Sequence, residues 1–279
     1  MVLAPVGEAA REISSWVEFI SKAEIPVLKQ TAREVGRLKD DEDNQSARTI
    51  TAAVINDPMM VFKVLCYSQQ HKGRNQLQDL LQVEQALLMM GATAFFNNIP
   101  VNFLVEDALK TNLPALTHLL RAVRRAHRAA FFAVEWATHL QDLHAEEVRI
   151  AALLHDLADL LMWCFQPEKM NNICVIQQEN KALRSKAVQL DVLGFTLHDL
   201  QKELVEAFAF PPLLSKLMQD SAAGEQRVRN VQLAVNFARH SAHGWDDAAL
   251  PDDYRDIAEL LRMDVDRVMR LVGVPTLVP

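Results

Sequence analysis

Glycine is scarce, with eight among 279 residues. None of them cluster into a loop that could cradle a phosphate. That scarcity, in a chain whose residues are 50% hydrophobic, favours helix over turn-rich β architecture. Cysteine is nearly absent too. Cys66, Cys164 and Cys174 make neither a CxxC pair nor a disulfide ladder, so a zinc ribbon and a disulfide-stapled secreted domain are excluded. Three buried free thiols in a reducing cytoplasm are expected instead. The patterns GxSxG and HExxH are missing, which removes the common serine hydrolase and zinc protease signatures. Excess positive charge is missing as well. A formal net charge of −7 argues against a general nucleic-acid binder. The opening MVLAPVGEAAREISSW has no basic start followed by an apolar run, so no secretion signal is expected. His, Asp, Arg or Glu interrupt every long apolar run, so no membrane span is expected.

What is present is helical periodicity. Apolar residues recur at helical spacing in Val6–Lys22, Val27–Leu38, Ser46–Asn56, Pro58–Ser68 and Leu80–Met90. Asp57-Pro58 and Gly91 mark helix ends. A loop is expected at Lys72–Asn75. Ala92–Lys110 reads as one helix bent near Pro100. The clearest break is Thr111-Asn112-Leu113-Pro114. A long helix follows over Ala115–Leu140, then one over His144–Phe165. Shorter ones follow at Lys169–Ala182, Ser185–Leu193 and Leu197–Phe208, the last capped by Thr196. Pro212, Arg227–His240, Pro251–Met263 and Val265–Val272 supply the remainder. No convincing strand and no solenoid repeat are visible. The fold class is therefore all-α, a two-lobed helical bundle. An N-terminal helix is expected in residues 1–23, a first lobe in 24–112 and a second in 113–279.

The stretch most unlike its surroundings is Arg149–Phe165, RIAALLHDLADLLMWCF. A helix apolar on nearly every side is normally buried, yet this one carries His155, Asp156 and Asp159. A buried carboxylate costs several kcal/mol unless paired or bound to a cation. Imidazole and carboxylate suit a divalent transition metal, with further ligands coming from other helices. The candidates are His127 and His198. Such a metal could activate water against a phosphate ester. The other reading is a hydrogen-bonded network locking helices together. Asp159, one turn beyond His155 in a continuous helix, could orient its imidazole. Arg121, Arg124, Arg125 and Arg128 form a basic strip, either a solvated face or an anion-binding one. Met59-Met60 and Met89-Met90 read as core filler.

Several segments in order resemble the HDOD family, a branch of the HD superfamily found in bacterial signalling proteins. The resemblance covers roughly Ile25–Phe237. In the first lobe it rests on IPVLKQTAREVGRL, INDPMMVFKVLCYSQ and VEQALLMMGATAFFNNIPV. In the second it rests on AALLHDLADLL and LGFTLHDLQKELVEAFAFPPLL. It implies an HD-like second lobe, with His127 as the first histidine of the HD set. The departures are specific. Ala158 and Asp159 stand where HD hydrolases carry glycine and lysine. Met218–Ala222 lacks the histidine pair of two-metal relatives, and Val235 stands near the place of the late aspartate.

An incomplete ligand set predicts weak metal binding: no required cofactor, and Mn, Fe, Ni or Zn at low occupancy at His127, His155, Asp156 and His198. No catalytic residue is assigned. The expectation is a non-enzymatic cytoplasmic signalling module, monomeric or a homo-oligomer, that recognises a protein partner or a small ligand. The alternatives are a metal-dependent phosphohydrolase of the HD type and a nucleotide second-messenger module using the arginine strip.

Overall fold

The computed structural model of the chain describes residues 6–71, 82–180, 182–218 and 225–275. In chain order the helices are α1 (Val6–Lys22), α2 (Lys29–Asp40), α3 (Ala47–Val54), α4 (Pro58–Gln70), α5 (Val83–Met90), α6 (Ala92–Asn98), α7 (Val105–Ala108), α8 (Leu113–His139) and α9 (Ala145–Leu154). They continue with α10 (Leu157–Phe165), α11 (Pro167–Glu179), α12 (Ser185–Leu193), α13 (Leu197–Ala207), α14 (Pro212–Leu217), α15 (Gln226–His240), α16 (Leu250–Leu261) and α17 (Val265–Leu271). Among the described residues the only β pairing is a parallel bridge between Val27 and Leu104. The fold is all-α. The loop expected at Lys72–Asn75 and the helix start expected at Leu80 lie outside the described residues.

Local chemistry explains several boundaries. Ser46 and Thr49 form a reciprocal capping box at α3. Asp57 caps α4, accepting from the N–H of Met59 and Met60 at 3.0 and 3.1 Å, with Pro58 in the first turn. Thr196 caps α13 through the Asp199 N–H. Gly91, at φ 80° and ψ 151°, turns the chain between α5 and α6.

Two expected helices are broken. Residues 92–110 are not one bent helix: α6 stops at Asn98, Pro100 follows, and Val27 pairs with the Phe103–Val105 segment before α7 begins. That extended pairing forbids helical backbone there. Residues 144–165 are also two helices, with His155-Asp156 at the joint between α9 and α10.

The chain forms two compact units. The first comprises Met1–Val123 and Asp156–Pro211; the second comprises Arg124–His155 and Pro212–Pro279. Thr111 and Asn112 make the turn before α8, and the bounds of the units fall within α8, between His155 and Asp156 and between Pro211 and Pro212.

In the first unit, α10 packs against α4, α11 and α13, and α1 lies against α13. Met59, Met60, Phe62 and Leu65 of α4 are buried, as are Leu160, Leu161, Met162 and Trp163 of α10. Phe165 meets Phe19 edge-on at 5.1 Å, and the His118 ring stacks on Trp163 at 4.9 Å. Asp57 also accepts from the Leu28 N–H at 2.7 Å, tying the start of α4 to the start of α2. Burial pushes the Asp57 carboxyl above its ordinary range although hydrogen bonds from Leu28, Met60, Thr31 and Met59 pull it down. Met89 departs from the core reading: it is exposed on α5.

In the second unit, α15 packs against α9 and α16, and α14 against α9. Phe132, Trp136, Phe237 and Tyr254 form its aromatic centre, with Phe132 edge-on to Phe237 at 5.0 Å. The Asn230 amide donates to the Ala133 carbonyl at 3.0 Å, bonding α15 to α8. Arg227 Nε donates to both oxygens of Asp142, at 2.7 and 2.9 Å.

Candidate functional site

The His-Asp doublet occupies a joint with a specific cause. His155 keeps helical dihedrals at the end of α9, whereas Asp156, at φ −105° and ψ 32°, leaves the helix. In an unbroken helix the Ala158 N–H would bond to the Leu154 carbonyl. Here it donates instead to Gln201 Oε1, at 2.7 Å. Gln201 is a buried side chain of α13. It acts as a cap supplied by another helix and satisfies one of the orphan donors at the start of α10. The Asp156 side chain makes no cap bond to α10.

The sequence candidates fall in both units. His127 on α8 and His155 at the end of α9 belong to the second, and both are half-buried. Asp156 and Asp159 belong to the first and are half-buried; His198, in the first turn of α13, is also in the first unit and is exposed. The boundary between the units runs through the doublet. With the helix broken, Asp159 is not one continuous helical turn beyond His155. Among the described residues, no group of three or more His, Cys, Asp or Glu side chains is placed to hold a metal ion.

The arginine strip is also divided. Arg121 is in the first unit and exposed. Arg124, Arg125 and Arg128 are in the second. Arg128 donates to the Ser241 carbonyl at 2.9 Å and lies over the Phe132 ring at 5.7 Å. That side chain ties α8 to the end of α15 and covers an aromatic face. Arg124 is exposed.

Sequence reading missed Gln201. A lone glutamine on an amphipathic helix carries no motif, and its role depends on which backbone N–H it meets. Val235 stands near the place of the late aspartate of the HD set. It is buried on α15 beside Leu233 and Ala234, an apolar position with no donor atom for a metal.

The comparisons with known proteins agree with this architecture. The HDOD domain matches residues 25–223. The chain belongs to the HDOD domain family. Among solved structures, the MmoQ response regulator of Methylococcus capsulatus strain Bath superposes with a TM-score of 0.68 at 16% identity, over 90% of this chain and 99% of that one. A virulence factor of Campylobacter jejuni superposes with a TM-score of 0.67 at 14% identity, over 94% of this chain and 97% of that one. An HDOD domain protein of Geobacter sulfurreducens gives 0.50 at 14% identity, over 96% and 94%. At these identities the likeness is one of fold. No curated protein matches the chain. Among the described residues no helix is long and apolar enough to cross a membrane.

Proposed function

We propose that this HDOD chain is a non-catalytic regulatory module that works in the cytoplasm by binding a protein partner or a small ligand. The observation carrying this reading is Val235, buried and apolar near the place of the late aspartate of the HD set. Ala158 adds to it. It replaces the glycine of HD hydrolases, and its N–H is engaged by Gln201. A hydrolase needs enough protein ligands to hold a metal while leaving a position open for the activated water. The free cysteines Cys66, Cys164 and Cys174 suit a reducing compartment. The likeness to a response regulator agrees with a signalling role. The nucleotide-messenger alternative has less support, because Arg128 is already bonded within its own unit.

The test is hydrolysis. Purified protein incubated with manganese and a chromogenic phosphodiester is expected to turn over no faster than buffer. Turnover that disappears in a His155→Ala, Asp156→Ala double variant would overturn the reading in favour of an HD-type phosphohydrolase.

A further inference from the structure

The first unit holds a cleft of about 380 Å³, within the range of small-molecule sites. It opens between the end of α1, one face of α4, the Asn98–Pro100 turn and Phe208 just beyond α13. The α4 residues on its wall are Phe62, Lys63, Cys66, Tyr67 and Gln70, spaced as neighbours on one helical face. Ile20, Ile99 and Phe208 supply the rest of the apolar wall. The walls are braced: Phe62 meets Phe208 edge-on at 4.9 Å, and Tyr67 is stacked on His71 at 4.0 Å. None of these residues belongs to the His-Asp joint.

One cation reaches inside. Lys63 is half-buried, and its ammonium donates to the carbonyls of Ile25, at 3.2 Å, and Pro100. An ammonium has three donors, so one remains for an occupant. The other lysine on the wall, Lys22, is exposed and paired with Glu18 at 2.6 Å. Glu24 stands exposed at the rim. Its charge favours an occupant with one negative charge over a polyphosphate. Burial lowers the affinity of Lys63 for its proton, against the pull of Glu24 and Asp57. A buried acceptor anion relieves that cost.

We infer that this cleft binds a small monoanionic carboxylate with an aromatic body, its carboxylate on Lys63 and its ring against Phe62, Tyr67 and Phe208. The inference deepens the regulatory reading and rests on it for biological meaning: an occupant would bear on the Lys63 bonds that join α4 to the Ile25 and Pro100 segments.

The probe is anilinonaphthalene sulfonate, an aromatic monoanion. Its fluorescence is titrated against the full chain, followed by displacement with phenylacetate and with its neutral isostere phenylacetamide. Saturable binding at one site is expected, with displacement by the carboxylate and not by the amide. Lys63→Met is expected to weaken the probe by about tenfold or more, the scale of one charge-assisted bond. Because Lys63→Met also removes the two bonds that join α4 to the Ile25 and Pro100 segments, Gln70→Glu is the second variant. It adds a negative charge at an exposed position and is expected to weaken the probe by about threefold at low salt. Absence of saturable binding to the wild type, equal displacement by the amide, or unchanged affinity in Gln70→Glu and in folded Lys63→Met would overturn the site. Those results would leave the regulatory reading standing. Hydrolysis dependent on His155 and Asp156 would overturn that reading and leave the cleft's binding intact.

Discussion

At Gln201 a single side-chain carbonyl decides where a helix begins. Removing it with Gln201→Leu leaves the Ala158 N–H without its acceptor, 2.7 Å away in the native chain. A buried donor left unsatisfied costs about 1–3 kcal/mol. The expected outcome is a urea midpoint lowered to match, with faster hydrogen exchange at the Ala158 amide. The Arg227–Asp142 pair gives a pH-dependent counterpart. Burial alone would raise the Asp142 carboxyl, but the Arg227 bonds, the His144 N–H and the nearby positive charge outweigh it and hold it below its ordinary range. A depressed carboxyl adds stability above its unfolded value, and that contribution fades as pH falls through the folded value. Arg227 is partly exposed, so Arg227→Gln is expected to cost only about 1 kcal/mol at neutral pH. The loss should shrink below about pH 4 as Asp142 takes its proton. Urea unfolding of both proteins across that range is the measurement, and a pH-independent difference would contradict the assignment.

Elements in this chain are set by their ends. The α5–α6 corner depends on Gly91, whose φ of 80° and ψ of 151° lie where side chains are strained. A Cβ added there meets nothing within 4 Å, so Gly91→Ala tests backbone strain apart from collision. A loss of about 1–3 kcal/mol is expected, read as a lowered thermal midpoint with an unchanged helical circular dichroism spectrum in the folded state. The cap at Thr196 and the boundary at Asp57-Pro58 were legible because cap and turn chemistry is local to a few residues. The breaks at residues 99–104 and 155–156 were not. The first depends on Val27 pairing with a segment far along the chain, and the second on Gln201.

For the whole molecule, the division into units is the feature with most consequence for function. Each unit combines segments that are distant in sequence, and the joint between them falls between His155 and Asp156. The doublet therefore sits at the break between α9 and α10 rather than within one continuous helix. With Val235 apolar and no group of three candidate ligands among the described residues, purified untagged chain is expected to carry manganese, iron, nickel or zinc well below one ion per chain. Elemental analysis checks this. A near-stoichiometric metal that is lost in the His155→Ala, Asp156→Ala variant would restore the hydrolase reading.

The sequence by itself determined the helical class, most helix positions, the Thr196 cap and the HDOD resemblance, because periodicity, turn chemistry and ordered motifs act over short spans of chain. It also marked His155 and Asp156 as candidate ligands and Val235 as a departure from the HD set. Tertiary structure alone decided that α9 and α10 are separate, that their halves belong to different units, and that Lys63 reaches a cleft from which the HD motif is absent. Those outcomes depend on which side chain meets which backbone group across tens or hundreds of residues, and one-dimensional periodicity does not encode such meetings.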